Sequence, residues 1–249
     1  MRSLFISLVV TFIIFTATTF LSAETSMGAG NRDALVEQDD IQRLSIGMDF
    51  LRIKRDIKYK DGDTDIARAD SYSVYLGVDL FRWLNIFAAG GTVSLAENES
   101  DVLDSDGTKW SLGINLRLWR LDITDPSFLR GECSIEAIAD YSQYEISDSG
   151  DLLKLNETFS ALLFGYEIFS DDMKSIESYP YSLRLFAGPA FCDWDGKFRI
   201  WGDSKKFKND SEGGLAAGAD VYLSHNLLLG CHLHYFGEST INAMLRYHF

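Results

Sequence analysis

The sequence predicts an all-β chain, closed into a transmembrane antiparallel up-and-down barrel of about ten strands behind an N-terminal signal peptide. Three observations predict it. From Gln42 to Phe249, apolar and polar residues alternate with a period of two in segment after segment, as in strands with one apolar face. Beyond Ala23 no segment is long and apolar enough for a membrane helix. The connections between the alternating segments are short and long by turns, as in an up-and-down meander through a bilayer, except for a long periplasmic turn at Phe169–Tyr181 and a short outer loop at Phe236–Glu238. A membrane protein without helical spans must close its strands into a ring, because backbone N–H and C=O groups find no water in lipid.

Residues 1–23 read as the signal peptide. Arg2 precedes an uncharged run from Leu4 to Leu21, and Ser22-Ala23 supplies the small residues before a cut. A permanent membrane helix is the competing reading, since the run is nearly long enough to span. Residues 24–41 are polar and aperiodic and read as a flexible periplasmic lead; residues 42–249 form the barrel.

The first strand starts near Leu44, with Leu44, Ile46, Met48 and Phe50 on one face. The apolar side then passes to Leu51, Ile53 and Ile57, a phase slip that predicts a β-bulge. Tyr72 to Leu80, Phe87 to Leu95, Trp110 to Leu118, Leu129 to Tyr141 and Leu162 to Ile168 give the next five strands. Leu183 to Phe191, Leu215 to Leu223, Leu227 to Tyr235 and Ser239 to Phe249 give the last four. Ten is an even count, as single-chain bacterial barrels have; eight is the alternative if one hairpin is misread. Phe81–Asn85, Leu121–Ser127 and Ser224–Asn226 are short connections, whereas Ala96–Lys109 and Asp193–Gly213 are long and polar. Residues 197–208 could extend two strands above the membrane as a ribbon.

A soluble lipocalin-like barrel has the same alternation with its apolar face inward. Two features place the apolar face outward. Charged residues share a face with Gly and Ser, which suits a narrow lumen. Aromatics cluster at strand ends, as in Phe81, Trp83, Trp110, Trp119, Phe128 and Tyr247, which suits interfacial girdles. The closing strand, S-T-I-N-A-M-L-R-Y-H-F, is apolar at Ile241, Ala243, Leu245, Tyr247 and Phe249. Such a strand, ending on Phe with Tyr two residues before it, resembles the last strand of bacterial outer-membrane β-barrels. The resemblance covers about residues 42–249 and implies a Gram-negative outer-membrane location. It also implies that Tyr247 and Phe249 are the signal read by the barrel-assembly machinery.

The formal net charge of −14 excludes non-specific nucleic-acid binding, since phosphates would repel the chain. Cys133, Cys192 and Cys231 are odd in number and widely spaced, with no C-x-x-C, so neither a disulfide framework nor a zinc motif is implied. No G-x-S-x-G, P-loop or H-E-x-x-H occurs, and no cofactor is implied.

Three sets of candidate residues follow. Asp49, Asp79, Glu132 and Glu167 point into the periplasmic half of the lumen with Arg117, Arg130, Arg184 and Arg246, and opposite charges in so narrow a space should pair. Arg246 should meet Asp49 where the last strand closes on the first. His232 and His234, two apart, could present imidazoles to one metal, though a polar wall is the plainer reading; Asp220 would lie diagonally beside His232. The outer loop interleaves Trp194, Phe198, Trp201 and Phe207 with Lys197, Arg199, Lys205, Lys206 and Lys208, which suits lipopolysaccharide, a surface glycan or a protein ligand. Asp61-Gly62-Asp63-Thr64-Asp65 opens like a calcium loop but lacks its Gly and bidentate Glu, so it reads as a solvated acidic loop.

The function expected is non-catalytic: a structural or surface-interaction role through the outer loops, with a lumen plugged by charged side chains. A narrow passive porin is the alternative. An outer-membrane hydrolase of the omptin or lipid A deacylase type comes third, because the paired catalytic residues such enzymes use are not visible.

Overall fold

The computed structural model describes residues 43–59, 62, 64–81, 83–95, 106–123, 131–148, 151–169, 182–200, 203–224 and 226–249. The predicted signal peptide and lead, Arg130, Phe128, Trp201 and, in the acidic loop, Asp61 and Asp63 lie outside the described residues. Eleven strands form one sheet: β1 (Arg43–Tyr59), β2 (Thr64–Phe81), β3 (Leu84–Leu95), β4 (Asp106–Ile123), β5 (Gly131–Asp148), β6 (Asp151–Phe169), β7 (Ser182–Ile200), β8 (Asp203–Asn209), β9 (Gly213–Tyr222), β10 (Leu227–Phe236) and β11 (Glu238–His248). β1 to β7 form a meander, β7 continues to β9, β10 and β11, and β11 returns to β1 from Ser45↔His248 to Ile53↔Thr240. Ten strands therefore close the ring, as predicted, and no lateral edge is left within it.

One rim carries both ends of the barrel: the Phe249 N–H donates to the Leu44 carbonyl at 2.9 Å. Short turns follow β2 and β9 at this rim. In the second, the Ser224 hydroxyl accepts from the Asn226 and Leu227 N–H groups at 3.3 and 3.1 Å. It is the periplasmic end. Two β-bulges sit beside it, between Asp79 and Phe81 and between Arg117 and Trp119.

The bulge predicted in β1 is absent. Its pairing with β2 runs unbroken from Arg43↔Asp79 to Lys58↔Thr64, so even-numbered residues face outward throughout. What changes along β1 is the solvent. Leu44, Ile46 and Met48 are exposed outward, and Phe50 packs at a tilt against Tyr72 with ring centroids 5.1 Å apart. One step higher the outer face turns polar: Arg52 pairs with Asp70 at 2.8 Å, and Lys54 with Glu238 at 2.8 Å. The inner face changes in the opposite sense, from Ser45, Gly47 and Asp49 to Leu51, Ile53 and Ile57. The apparent slip is an exchange of polarity between two fixed faces.

The exchange holds around the ring. Lipid-facing Leu112, Leu162, Phe164, Leu185, Leu229, Leu233 and Leu245 are exposed. Aromatics bound this belt, with Phe81, Trp83, Trp119 and Tyr247 below and Tyr72, Trp110, Tyr141 and Tyr235 above. β9, β10 and β11 have 10, 10 and 11 residues, enough to cross a bilayer and little more. β1, β2, β5, β6 and β7 have 17 to 19 and rise well above it. Inside their outer halves, Ile53, Ile57, Val93, Tyr144, Ile146, Leu153, Leu155, Trp194 and Phe207 form a buried apolar core. Burying each such side chain contributes about 1.5–3 kcal/mol.

β8 completes the outer wall. It pairs with β7 (Asp195↔Lys208 to Ile200↔Asp203) and with β1 (Ile57↔Asn209 to Tyr59↔Phe207). One strand thus replaces the three that end at the membrane. The ribbon expected from the sequence is present, but it is built into the wall on both edges. Asn209 fixes the handover. Its amide donates to the carbonyls of Cys192 (2.7 Å) and Ser211 (2.6 Å), and its oxygen accepts the Trp194 N–H at 3.1 Å.

Closure at the β1–β11 seam requires Gly47. A Cβ there would stand 2.5 Å from the Leu245 carbonyl oxygen and 2.8 Å from Arg246 Cγ. Gly47→Val should destabilise the refolded barrel by roughly 1–3 kcal/mol in urea unfolding, the usual cost of overpacking. Gly90→Ala, whose Cβ meets nothing nearer than 3.9 Å, should stay close to wild type. Equal behaviour of the two variants would argue against the seam as described.

Candidate functional site

Below the apolar core the lumen is polar and its charges are paired across strands. Glu136 on β5 is the hub. Arg184 on β7 reaches it at 2.7 Å and Arg117 on β4 at 3.4 Å. Arg184 also stands 3.8 Å from Asp220 on β9, and Asp220 takes His232 of β10 at 3.0 Å. Glu132 accepts from Arg120 at 2.8 Å and lies 3.9 Å from Arg117. The β4 bulge makes this possible, because it brings Arg120 onto the luminal side with Arg117.

The predicted lumen residues are therefore largely brought together. Arg246 and Asp49 meet at 3.8 Å across the seam, and the Arg246 guanidinium lies 3.9 Å over the Tyr75 ring. Asp79 accepts from the Asn85 amide at 2.7 Å, and Glu167 from the Ser182 hydroxyl. Two members of the network were not predicted, Glu136 and Arg120, while Asp220, expected beside His232, also meets Arg184. The signal for Glu136 was present, since Glu132, Ser134 and Glu136 alternate on one face. It was overlooked because a sequence does not say which carboxylate lies between two arginines.

His232 and His234 do face the lumen, but each is engaged apart from the other. His232 holds Asp220 and stands edge-on to Phe186, with centroids 4.8 Å apart; His234 stacks on Phe159 at 4.5 Å. Among the described residues no cluster of three or more His, Cys, Asp or Glu is arranged to hold a metal.

A second layer lies between the polar lumen and the core. Arg55 is fully buried, with its guanidinium 4.2 Å over the Phe236 ring and 5.8 Å from that of Trp194. Glu157 accepts from the Tyr144 hydroxyl at 2.6 Å and the Cys192 thiol at 3.3 Å. These residues escaped the sequence reading because an Arg and a Glu in tall strands look like ordinary solvated positions.

The outer loop differs most from expectation. Trp194 and Phe207 turn inward and are 1% and 6% exposed, so they belong to the core and cannot grip an external ligand. Phe198, Arg199 and Lys205 lie in the β7–β8 ribbon. Lys197, Lys206 and Lys208 are exposed on the outer wall. Lys154 of β6 stands opposite Lys197 of β7, which stands opposite Lys206 of β8, and Lys208 stands opposite Lys58 of β1. Glu145 of β5 stands opposite Lys154 and pairs with it at 3.0 Å, so the like-charge repulsion of the row falls mainly between Lys197 and Lys206, which are directly opposite.

Breaking the luminal hub should be expensive. Glu136→Ala leaves Arg184 and Arg117 without their shared carboxylate and should destabilise the folded barrel by about 3–5 kcal/mol, read as a lower urea midpoint. A midpoint unchanged from wild type would contradict the hub.

No protein-family model matches the sequence, and no curated protein matches it. Among solved structures the fold is similar to the Neisserial surface protein A, with 10% identity over 84% of this chain and 97% of that one (TM-score 0.35). It is similar to the outer membrane protease OmpT from Escherichia coli, with 13% identity over 85% and 98% (TM-score 0.41). An outer membrane channel from Pseudomonas putida F1 gives 11% identity over 89% and 100% (TM-score 0.39). The closed ten-strand ring, its lipid-facing belt between aromatic girdles and its charged lumen make this chain a small transmembrane β-barrel protein of the bacterial outer membrane.

Proposed function

We propose that this protein is a sealed barrel that acts at the cell surface by binding, without conducting solutes and without catalysis. The observation that supports the reading is the apolar core filling the outer half of the lumen, from Ile53 and Tyr144 to Trp194 and Phe207. A solute path needs a continuous polar lining or a hydrophobic constriction that can wet. Here interlocked side chains fill the space where that path would run. The seal is apolar and outer, and the charged network lies beneath it. A narrow porin, the second reading, would require Trp194 and Phe207 to leave the core together.

The surface partner is a polyanion. Lys197 and Lys206 are held directly opposite each other, beside the Lys154–Glu145 pair, on a chain whose net charge is −14, against their own repulsion. An anionic glycan relieves that repulsion, and the phosphorylated sugars of lipopolysaccharide are the polyanion nearest the outer leaflet. A hydrolase is the weakest reading, since His232 and His234 lie below the core and away from the outer surface.

The purified barrel in planar bilayers should show no steady conductance, and a persistent open current would contradict the seal. Lys197→Glu combined with Lys206→Glu should weaken lipopolysaccharide binding about thirtyfold or more, at roughly 1 kcal/mol for each of the two lysines lost. The variant should fold as wild type, because both side chains are exposed. Unchanged lipopolysaccharide binding would remove the lysine row as the site.

A further inference from the structure

Beneath the core the lumen holds a cavity of about 340 Å³. Its lining runs from Phe81 and Trp83 at the periplasmic rim up to Lys109 and Glu157. Ile57, Ile146, Trp194 and Phe207 of the core are not among the lining residues, so the cavity has its mouth at the periplasm. The volume is within the range of small-molecule sites.

Two independent features distinguish it from a packing gap. The first is a set of buried oxygens without donors. Among the described residues, the Thr240 hydroxyl, the Asn242 side-chain oxygen, the Asn115 side-chain oxygen and one Asp49 oxygen have no hydrogen-bond partner. All four residues line the cavity, and Thr240 is 3% exposed. Three of them share one wall. Asp49 faces Met244, Leu51 faces Asn242 and Ile53 faces Thr240 across the β1–β11 seam, so Asp49 and Asn242 are diagonal neighbours and Thr240 stands one luminal position beyond Asn242. Arg246 does not satisfy Asp49, because its guanidinium is drawn over the Tyr75 ring and stays 3.8 Å from the carboxylate, beyond hydrogen-bond reach.

The second feature is charge. Along the lining, carboxylates outnumber Lys and Arg six to four. In a narrow, poorly solvated lumen that excess favours a cation. Four oxygens without donors, against one N–H without an acceptor on Arg246, and an excess of carboxylates together favour a positive group with several N–H donors. A primary ammonium offers three. The rings of Tyr75, Phe87 and Phe186 on the same lining suit the alkyl part of such a molecule.

From this we infer that the cavity is a periplasm-facing binding site for a small organic cation bearing a primary ammonium group, which Asp49 and Asn242 hold, while Thr240, further along the same wall, meets the far end of the molecule. The site is independent of the lysine row, and the outer core makes it a binding site and not a passage. Titration calorimetry on the refolded full chain tests it, with 1,4-diaminobutane as probe and succinate as the counterpart of similar length and opposite charge. Saturable binding of the diamine and none of succinate is expected. Asp49→Asn should weaken the diamine at least about tenfold, the loss of one charge-assisted contact. Thr240→Val should weaken it severalfold and decides the matter if Asp49→Asn does not refold. Absence of saturable diamine binding, succinate binding as tight, or wild-type affinity in the folded variants would each overturn the inference.

Discussion

Lipid offers a backbone no hydrogen bonds, and that constraint organises the whole molecule. Within the bilayer every strand must have two neighbours, so the chain closes a ring of ten with β11 on β1. The same solvent fixes the faces: leucines and aromatics outward, serines, glycines and charges inward. Above the bilayer the constraint changes. Water can satisfy an edge, three strands stop, and the single strand β8 joins β7 to β1 in their place. Water outside also lets the faces trade polarity, with ion pairs such as Arg52–Asp70 outside and a hydrophobic core inside. A membrane barrel and a small soluble-type barrel are thus continuous along the same strands.

This join explains the division of the lumen. In the lower half an apolar filling would leave the ring apolar on both faces, whereas charges can be buried there because Glu136, Arg117, Arg184, Asp220 and His232 satisfy one another across five strands. In the upper half the wall is already polar outside, and burying Ile53, Leu155, Trp194 and Phe207 inside is what holds the tall strands together. The charged outer face of the upper wall and the apolar core inside it are two results of one exchange of faces.

The ring itself was legible in the sequence, because alternation and turn spacing are local properties and the bilayer enforces them on every strand. The Arg246–Asp49 contact was legible too, since closure leaves β11 no other partner than β1. What misled was the assumption of one apolar face per strand. The change from Phe50 to Leu51 reads as a bulge only if the apolar face must stay outward, and it read that way until the unbroken β1–β2 register showed both faces fixed. Trp194 and Phe207 were placed outside for the same reason, because aromatics among lysines in a long loop look exposed. Alternation alone says which residues share a face, and the solvent on each side says what that face does.

A nitroxide scan along β1 in lipid bilayers tests the exchange of faces most directly. Labels at positions 44, 46 and 48 should be accessible to oxygen in lipid. Labels at 52, 54 and 58 should be accessible to a water-soluble nickel complex, and labels at 53 and 57 to neither. Lipid-phase accessibility at 53 and 57, with the even positions turned inward there, would restore the bulge and contradict a sealed outer core.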